Sequence, residues 1–261
     1  MQIKKKERII AEVFSYLEET KSEQSHVKLI DKIVKKIPYR SSIGYAGWKK
    51  RESLIKNLEW NMGKNITKVE NVDLKIIKKA MGACTQFLGA RKIYIFVFPT
   101  FNNFILTKMN GVAGYTVYKN TISVFVNTHM NYKKALKETI VHEMAHIISD
   151  YYGKKTLKDA LINEGLAEHF REHVIGGGKA QWVKSISRQS ALEIFNKIRP
   201  YVNKKSDKRY RDLFFGGKTY PLWSGYAVGY YLVENYLKKQ NKLNWNKIFN
   251  KPFSSDSFLK Q

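Results

Sequence analysis

The chain is poor in cysteine, in acidic residues and in long apolar runs. One cysteine, Cys84, in 261 residues excludes an internal disulfide framework, so a reduced, cytoplasmic setting is expected. The longest apolar runs, such as IYIFVFP ending at Pro99, fall far short of the ~20 residues that span a bilayer. The first residues, MQIKKKERII, open on charge with no apolar leader core or small-residue cleavage site behind them, so no secretory signal is expected. No internal repeat and no low-complexity tract is found, which excludes solenoids and simple arrays. Apolar residues at 43% and aromatics at 13% supply a sizeable core and exclude a disordered chain.

The shortage of acids leaves 47 basic against 22 acidic residues and a net charge of +25. Such a balance suits nucleic acid or an anionic surface. Three features weigh against specific nucleic-acid binding. Lys outnumbers Arg 38 to 9, whereas phosphate recognition favours the planar Arg fork. The lysines are spread along the whole chain. No helix-turn-helix, zinc-finger or aromatic RNA-binding signature accompanies them. A lysine-rich composition explains the charge, and no specific nucleic-acid partner is expected.

Residues 4–20 show helical spacing, with Ile9, Ile10, Val13, Phe14 and Leu17 on one face. Residues 24–37 repeat the pattern. A break with Pro and Gly covers 37–47, and helices are expected again at 48–61 and 72–88. Residues 1–90 thus form an expected all-helical N-terminal portion. From Arg91 the character changes. KIYIFVFP (92–99) is a β-branched and aromatic run, followed by FILTK (104–108), GYTVY (114–118) and TISVFVN (121–127), which together predict a small sheet with hairpin connections. Helices are then expected at about 132–149, 156–174, 180–198 and 224–239. A sheet followed by helices is an α+β arrangement, with 91–261 as its second domain.

The stretch TIVHEMAHIISD (139–150) sets His142, Glu143 and His146 in an otherwise apolar helix. Four residues advance about 400°, so both imidazoles leave one face a turn apart, a spacing that chelates one small cation. Imidazole nitrogen is a good zinc ligand. Glu143 lies about 100° round from His142, where it reaches a water on the ion rather than the ion itself. HExxH therefore predicts two ligands and a general base. Leaving such groups unpaired in an apolar helix costs about 1–3 kcal/mol each, and one zinc ion removes that cost. In LINEGLAEHF (161–170), Glu164 is the candidate third ligand, brought back by a turn around SDYYGKK. Glu168, one turn on, is placed to hold the far ring nitrogen of a ligating histidine. His169 and His173 are also four apart, but His169 lies about 140° off the Glu164 face and is expected to point away.

HEMAH followed by NEGLAEHF resembles the gluzincin clan of zinc metallopeptidases. The nearer resemblance is to a predicted zinc-protease family of unknown function, typified by bacterial YjaZ-like proteins. It is carried by FVFPTFN (96–102), NGVAGYTV (110–117), ETIVHEMAHII, LINEGLAEHF and LWSGYAVGYYLVENYL (222–237), together about 92–239. The chain departs from it beside the second histidine, where Ala145 and Ile147 stand in place of an aromatic or histidine. The resemblance implies a zincin-like metallopeptidase domain with one zinc ion held by His142, His146 and Glu164. It further implies Glu143 as the catalytic glutamate and Glu168 as the supporting acid. The expected activity is hydrolysis of a peptide or protein substrate, with Tyr226 or Tyr230 of GYAVGYY as oxyanion donor and Tyr226 preferred. An extended substrate is expected to pair with the sheet edge at GVAGYTV, where glycines permit close backbone approach. A deformylase-like hydrolase needs a cysteine ligand in a context that MGACTQF does not supply. A noncatalytic zinc-stabilised or nucleic-acid-binding protein does not require Glu143.

Overall fold

The computed structural model describes residues 10–17, 31–38, 49–63, 70–87, 92–149 and 156–250. The chain divides into two compact units, Met1–Ile147 and Ile148–Gln261. Among the described residues no helix is long and apolar enough to cross a membrane.

The first unit is built on a four-stranded mixed sheet. Its strands are β1 (Ile10–Ser15), β2 (Lys92–Pro99), β3 (Val112–Tyr118) and β4 (Thr121–Val126), in the order β1-β2-β4-β3. β2 is parallel to both β1 and β4, and β3 returns antiparallel on β4. β2 lies between two parallel neighbours and is buried on both faces, hence its continuous apolar run. The β3–β4 hairpin turns at Asn120, whose φ of 52° is one that Asn tolerates better than most residues.

The two faces of the sheet differ in chemistry. Phe14, Phe96, Phe98, Phe125 and Tyr115 share one face, with ring centroids 5.0 Å apart for Phe14–Phe96 and 5.1 Å for Phe98–Phe125. Leu54, Leu58 and Met62 of α1 (Arg51–Met62) and Ile33 pack into that aromatic cluster. The opposite face is aliphatic, with Ile95, Val97, Ile122 and Val124 buried. The long helix α4 (Tyr132–Ile148) meets this face at Gly114. The unit also contains α2 (Leu74–Cys84) and the short α3 (Asn103–Lys108), and residues 31–36 are helical as well.

The second unit is helical: α5 (Leu157–Ile175), α6 (Arg188–Ile198), α7 (Asp207–Phe215), α8 (Ser224–Lys238) and α9 (Trp245–Phe249). α5 starts at a capping box in which Thr156 Oγ1 accepts from Asp159 N and Asp159 Oδ2 accepts from Thr156 N. α5 and α8 touch backbone to backbone at Gly165 and Gly229. Leu161, Phe195, Leu213, Phe214 and Leu232 form the core around that crossing.

Three sequence expectations are corrected. Ile10–Ser15 is a strand, so the segment before residue 90 is not wholly helical; residues 4–9 and 18–20 of the expected helix lie outside the described residues. Its apolar side chains satisfy either period, and pairing with β2 decides the matter by stacking Phe14 on Phe96 and Tyr16 on Phe98. FILTK belongs to a helix because the Asn102 side chain accepts from Phe104 N and Ile105 N, capping a turn that its β-branched content disfavours. The expected helix from 180 starts at Arg188, where Ser187 caps it. Helices α7 and α9 were not expected at all.

Candidate metal centre

The buried C-terminal half of α4 carries the histidine pair. His142, Glu143 and His146 are 7%, 5% and 9% exposed. The Nε2 atoms of His142 and His146 face each other at 3.2 Å, with the rings edge to face. Two ligands on a tetrahedral ion with bonds of about 2.0–2.1 Å stand about 3.3 Å apart, so this separation suits a shared zinc. Glu164 joins them. One ligand atom from each of His142, His146 and Glu164 lies within 4.8 Å of the others. Two imidazoles and a carboxylate are the donor set of catalytic zinc sites, which leave a fourth position open.

Glu143 is turned towards β3. A Cβ at Gly114 would fall 3.0 Å from Glu143 Cγ, 3.2 Å from its Oε1 and only 2.5 Å from Thr139 Cγ2. Glycine at 114 therefore makes room for the side chains of α4. Thr116 Oγ1 donates to the Glu143 carbonyl at 3.4 Å, a further tie between β3 and the HExxH turn.

On α5, Glu164 is half-buried and Glu168 is fully buried. Glu168 Oε1 accepts from Trp182 Nε1 at 2.9 Å, and Oε2 accepts from Arg171 Nε at 3.2 Å. Arg171, itself 2% exposed, also donates to the carbonyls of Gly176 and Gly178. A buried carboxylate needs this charge-assisted bonding. Neither Arg171 nor Trp182 was singled out in the sequence, and Arg171 at three residues from Glu168 was the available signal.

The second histidine pair makes contacts of its own. His169 hydrogen-bonds the Tyr230 carbonyl at 3.1 Å and stacks on its ring at 4.0 Å, and burial lowers its pKa. His173 packs by Trp245. Tyr230 donates its hydroxyl to Glu172 at 2.9 Å. Tyr226 is half-buried, edge-on to Phe214 at 5.1 Å and near Trp182.

Residues 74–255 match the model of a family described as "Predicted Zn-dependent protease (DUF2268)", which is well over half of the chain. The chain belongs to this family. Two Bacillus subtilis (strain 168) proteins are similar to it. "Uncharacterized protein YjfC" is 24% identical over 152 residues, covering 52% of this chain and 51% of that protein. "Uncharacterized protein YjaZ" is 27% identical over 128 residues, covering 46% and 49%. The chain thus spans about half the length of the curated relatives it matches. No solved structure matches.

Proposed function

We propose that this chain is a zinc-dependent metallopeptidase of the gluzincin type, built on a zincin-like fold and acting on peptide bonds in a cytoplasmic setting. The observation that carries the reading is the convergence of His142, His146 and Glu164 with Glu143 beside them on the same buried turn. His142, His146 and Glu164 would hold the ion. When bound, zinc supplies Lewis acidity towards a water and a substrate carbonyl.

The remaining work falls to side chains. Glu143 accepts a proton from the attacking water and returns it to the leaving amine. The absence of a Cβ at Gly114 leaves room for its side chain beside β3. Glu168, held by Arg171 and Trp182, serves as the acid that orients a ligand. Tyr226 is the preferred donor to the developing oxyanion, because the Tyr230 hydroxyl already serves Glu172. β3 ends the strand order of the described sheet, so an extended peptide can add along it.

The test combines metal analysis with a peptide library. The purified chain is expected to bind one zinc and to cleave library peptides until a chelator removes the metal. Glu143→Gln is expected to keep stoichiometric zinc and lose hydrolysis. Wild-type cleavage by Glu143→Gln, or cleavage indifferent to chelation, would refute the reading.

A further inference from the structure

Against the even spread of lysines along the chain, one stretch of the second unit concentrates positive charge. Between residues 197 and 211 stand seven Lys and Arg against one acid, Asp207. All seven are exposed, and among the described residues none of them forms an ion pair. Elsewhere in the same unit three cations share one acid. Lys179, Arg188 and Lys238 all reach Glu234, at 3.9, 3.5 and 3.1 Å.

The run is folded into one patch. Lys204 N donates to the Tyr201 carbonyl at 2.9 Å. Its ammonium lies 5.7 Å from the Tyr201 ring centre, and the Arg209 guanidinium lies 4.0 Å from it. Ser206 caps α7 by accepting from Arg209 N, which sets Lys205 and Lys208 about the same turn. The patch is also anchored to α5. Lys158 N donates to the Val202 carbonyl at 2.8 Å, and Leu157 N donates to the Lys204 carbonyl at 3.3 Å. Glu164 follows Lys158 by six residues on that helix, about 9 Å along its axis.

We propose that this patch, centred on Lys204, Lys205, Lys208 and Arg209, recognises an acidic segment of a peptide substrate. The inference rests on the hydrolytic reading and names its substrate class. A site on the order of 10–20 Å from the Glu164 carboxylate corresponds to roughly three to six extended residues from the bond cleaved. Carboxylates suit the patch better than nucleic acid does. Tyr201 is its exposed aromatic, and that ring already carries Arg209, whereas base stacking needs an open face. Lysine ammonium groups act as adaptable point charges for single carboxylates. Unmatched charge of this kind raises association rate and specificity, and its effect falls with salt.

The experiment uses the zinc-loaded full chain and labelled peptides sharing one cleavable core, with flanks of Glu, Ser or Lys. Hydrolysis and anisotropy binding are measured at low and high salt. A Lys204→Glu, Lys205→Glu, Lys208→Glu triple variant alters only exposed side chains, and its melting curve verifies folding. The Glu-flanked peptide is expected to show a KM about tenfold below the Ser-flanked one. That advantage is expected to vanish in high salt and in the triple variant, with kcat for the Ser-flanked peptide unchanged. Equal KM for Glu and Ser flanks, or an advantage that survives the triple variant, overturns the proposal. So does an oligonucleotide that binds more tightly than the Glu-flanked peptide and is lost in the triple variant. If no peptide is cleaved but the Glu-flanked one still binds through these lysines, acidic-peptide recognition stands and the hydrolytic reading fails.

Discussion

Gly165 tests how much stability rests on the backbone contact between α5 and α8. An added Cβ there would lie 2.2 Å from the Gly229 carbonyl oxygen and 2.5 Å from its carbon. Carbon and carbonyl oxygen ordinarily approach no closer than about 3.3 Å, so Gly165→Ala must part the helices by about 1 Å. The obstacle is backbone and cannot rotate away. A gap of that size forfeits a quarter to a half of the dispersion well for the atoms it separates. Leu161, Ala227, Val228 and Leu232 line this seam, and the overpacking loss is about 3 kcal/mol. Alanine returns about 1 kcal/mol of helix propensity. The net loss of about 2 kcal/mol lowers Tm by about 4–8 °C. Circular-dichroism melts in chelator measure this free of metal linkage. Gly82→Ala is the control. Gly82 is exposed in α2 with nothing within 4 Å of its added Cβ, so it is expected to gain about 0.5–1 kcal/mol. A Gly165→Ala protein that melts at or above the parent would show that the close approach has been misjudged.

Gly114→Ala pushes on Thr139 and Glu143; if Glu143 is the general base of the proposed reaction, displacing it by about 1 Å costs on the order of 10²-fold. The expected outcome is a lower kcat with zinc content unchanged, and an unaltered kcat would remove Gly114 from the account. Burial raises the Glu172 pKa above its ordinary 4.5, only partly opposed by the Tyr230 hydrogen bond and Arg171. The folded state therefore holds that proton more tightly than the unfolded chain. Its stabilising contribution is full below 4.5 and is lost as pH rises through the raised value. The stability advantage of Glu172→Gln over the parent is thus expected to grow with pH across that window and then level off, read from urea titrations; a shrinking gap reverses the assignment. Burial pushes the Cys84 thiol up to about 12, so a thiol reagent in mildly alkaline buffer should leave it unmodified until denaturant is added.

Much of the candidate site was legible because its signals are local. The four-residue spacing of His142 and His146 puts them on one helical face regardless of the rest of the chain. The apolar residues around them mark that helix as buried. The candidate role of Glu164 has a less local signal, because its placement depends on how the chain turns between two helices. β2 was equally plain, since a strand flanked on both sides must be apolar throughout.

What the tertiary structure alone decided concerns residues whose local signals are balanced or silent. Ile10–Ser15 has apolar spacing that fits a helix, and only the parallel partner β2 makes it a strand. Asn103–Lys108 has strand-like composition, and the Asn102 cap turns it into a helix. Gly114, Gly165 and Gly229 look alike in sequence, yet each matters because of a different neighbour: Glu143, the Gly229 carbonyl and the Leu161 carbonyl. The lysines of 197–211 become a surface only when Val202 and Lys204 are tied to the start of α5. Periodicity and motif spacing report on the chain within a turn or two of itself. Pairing, close approach and charge clustering depend on residues far away in sequence, and folding is what brings those together.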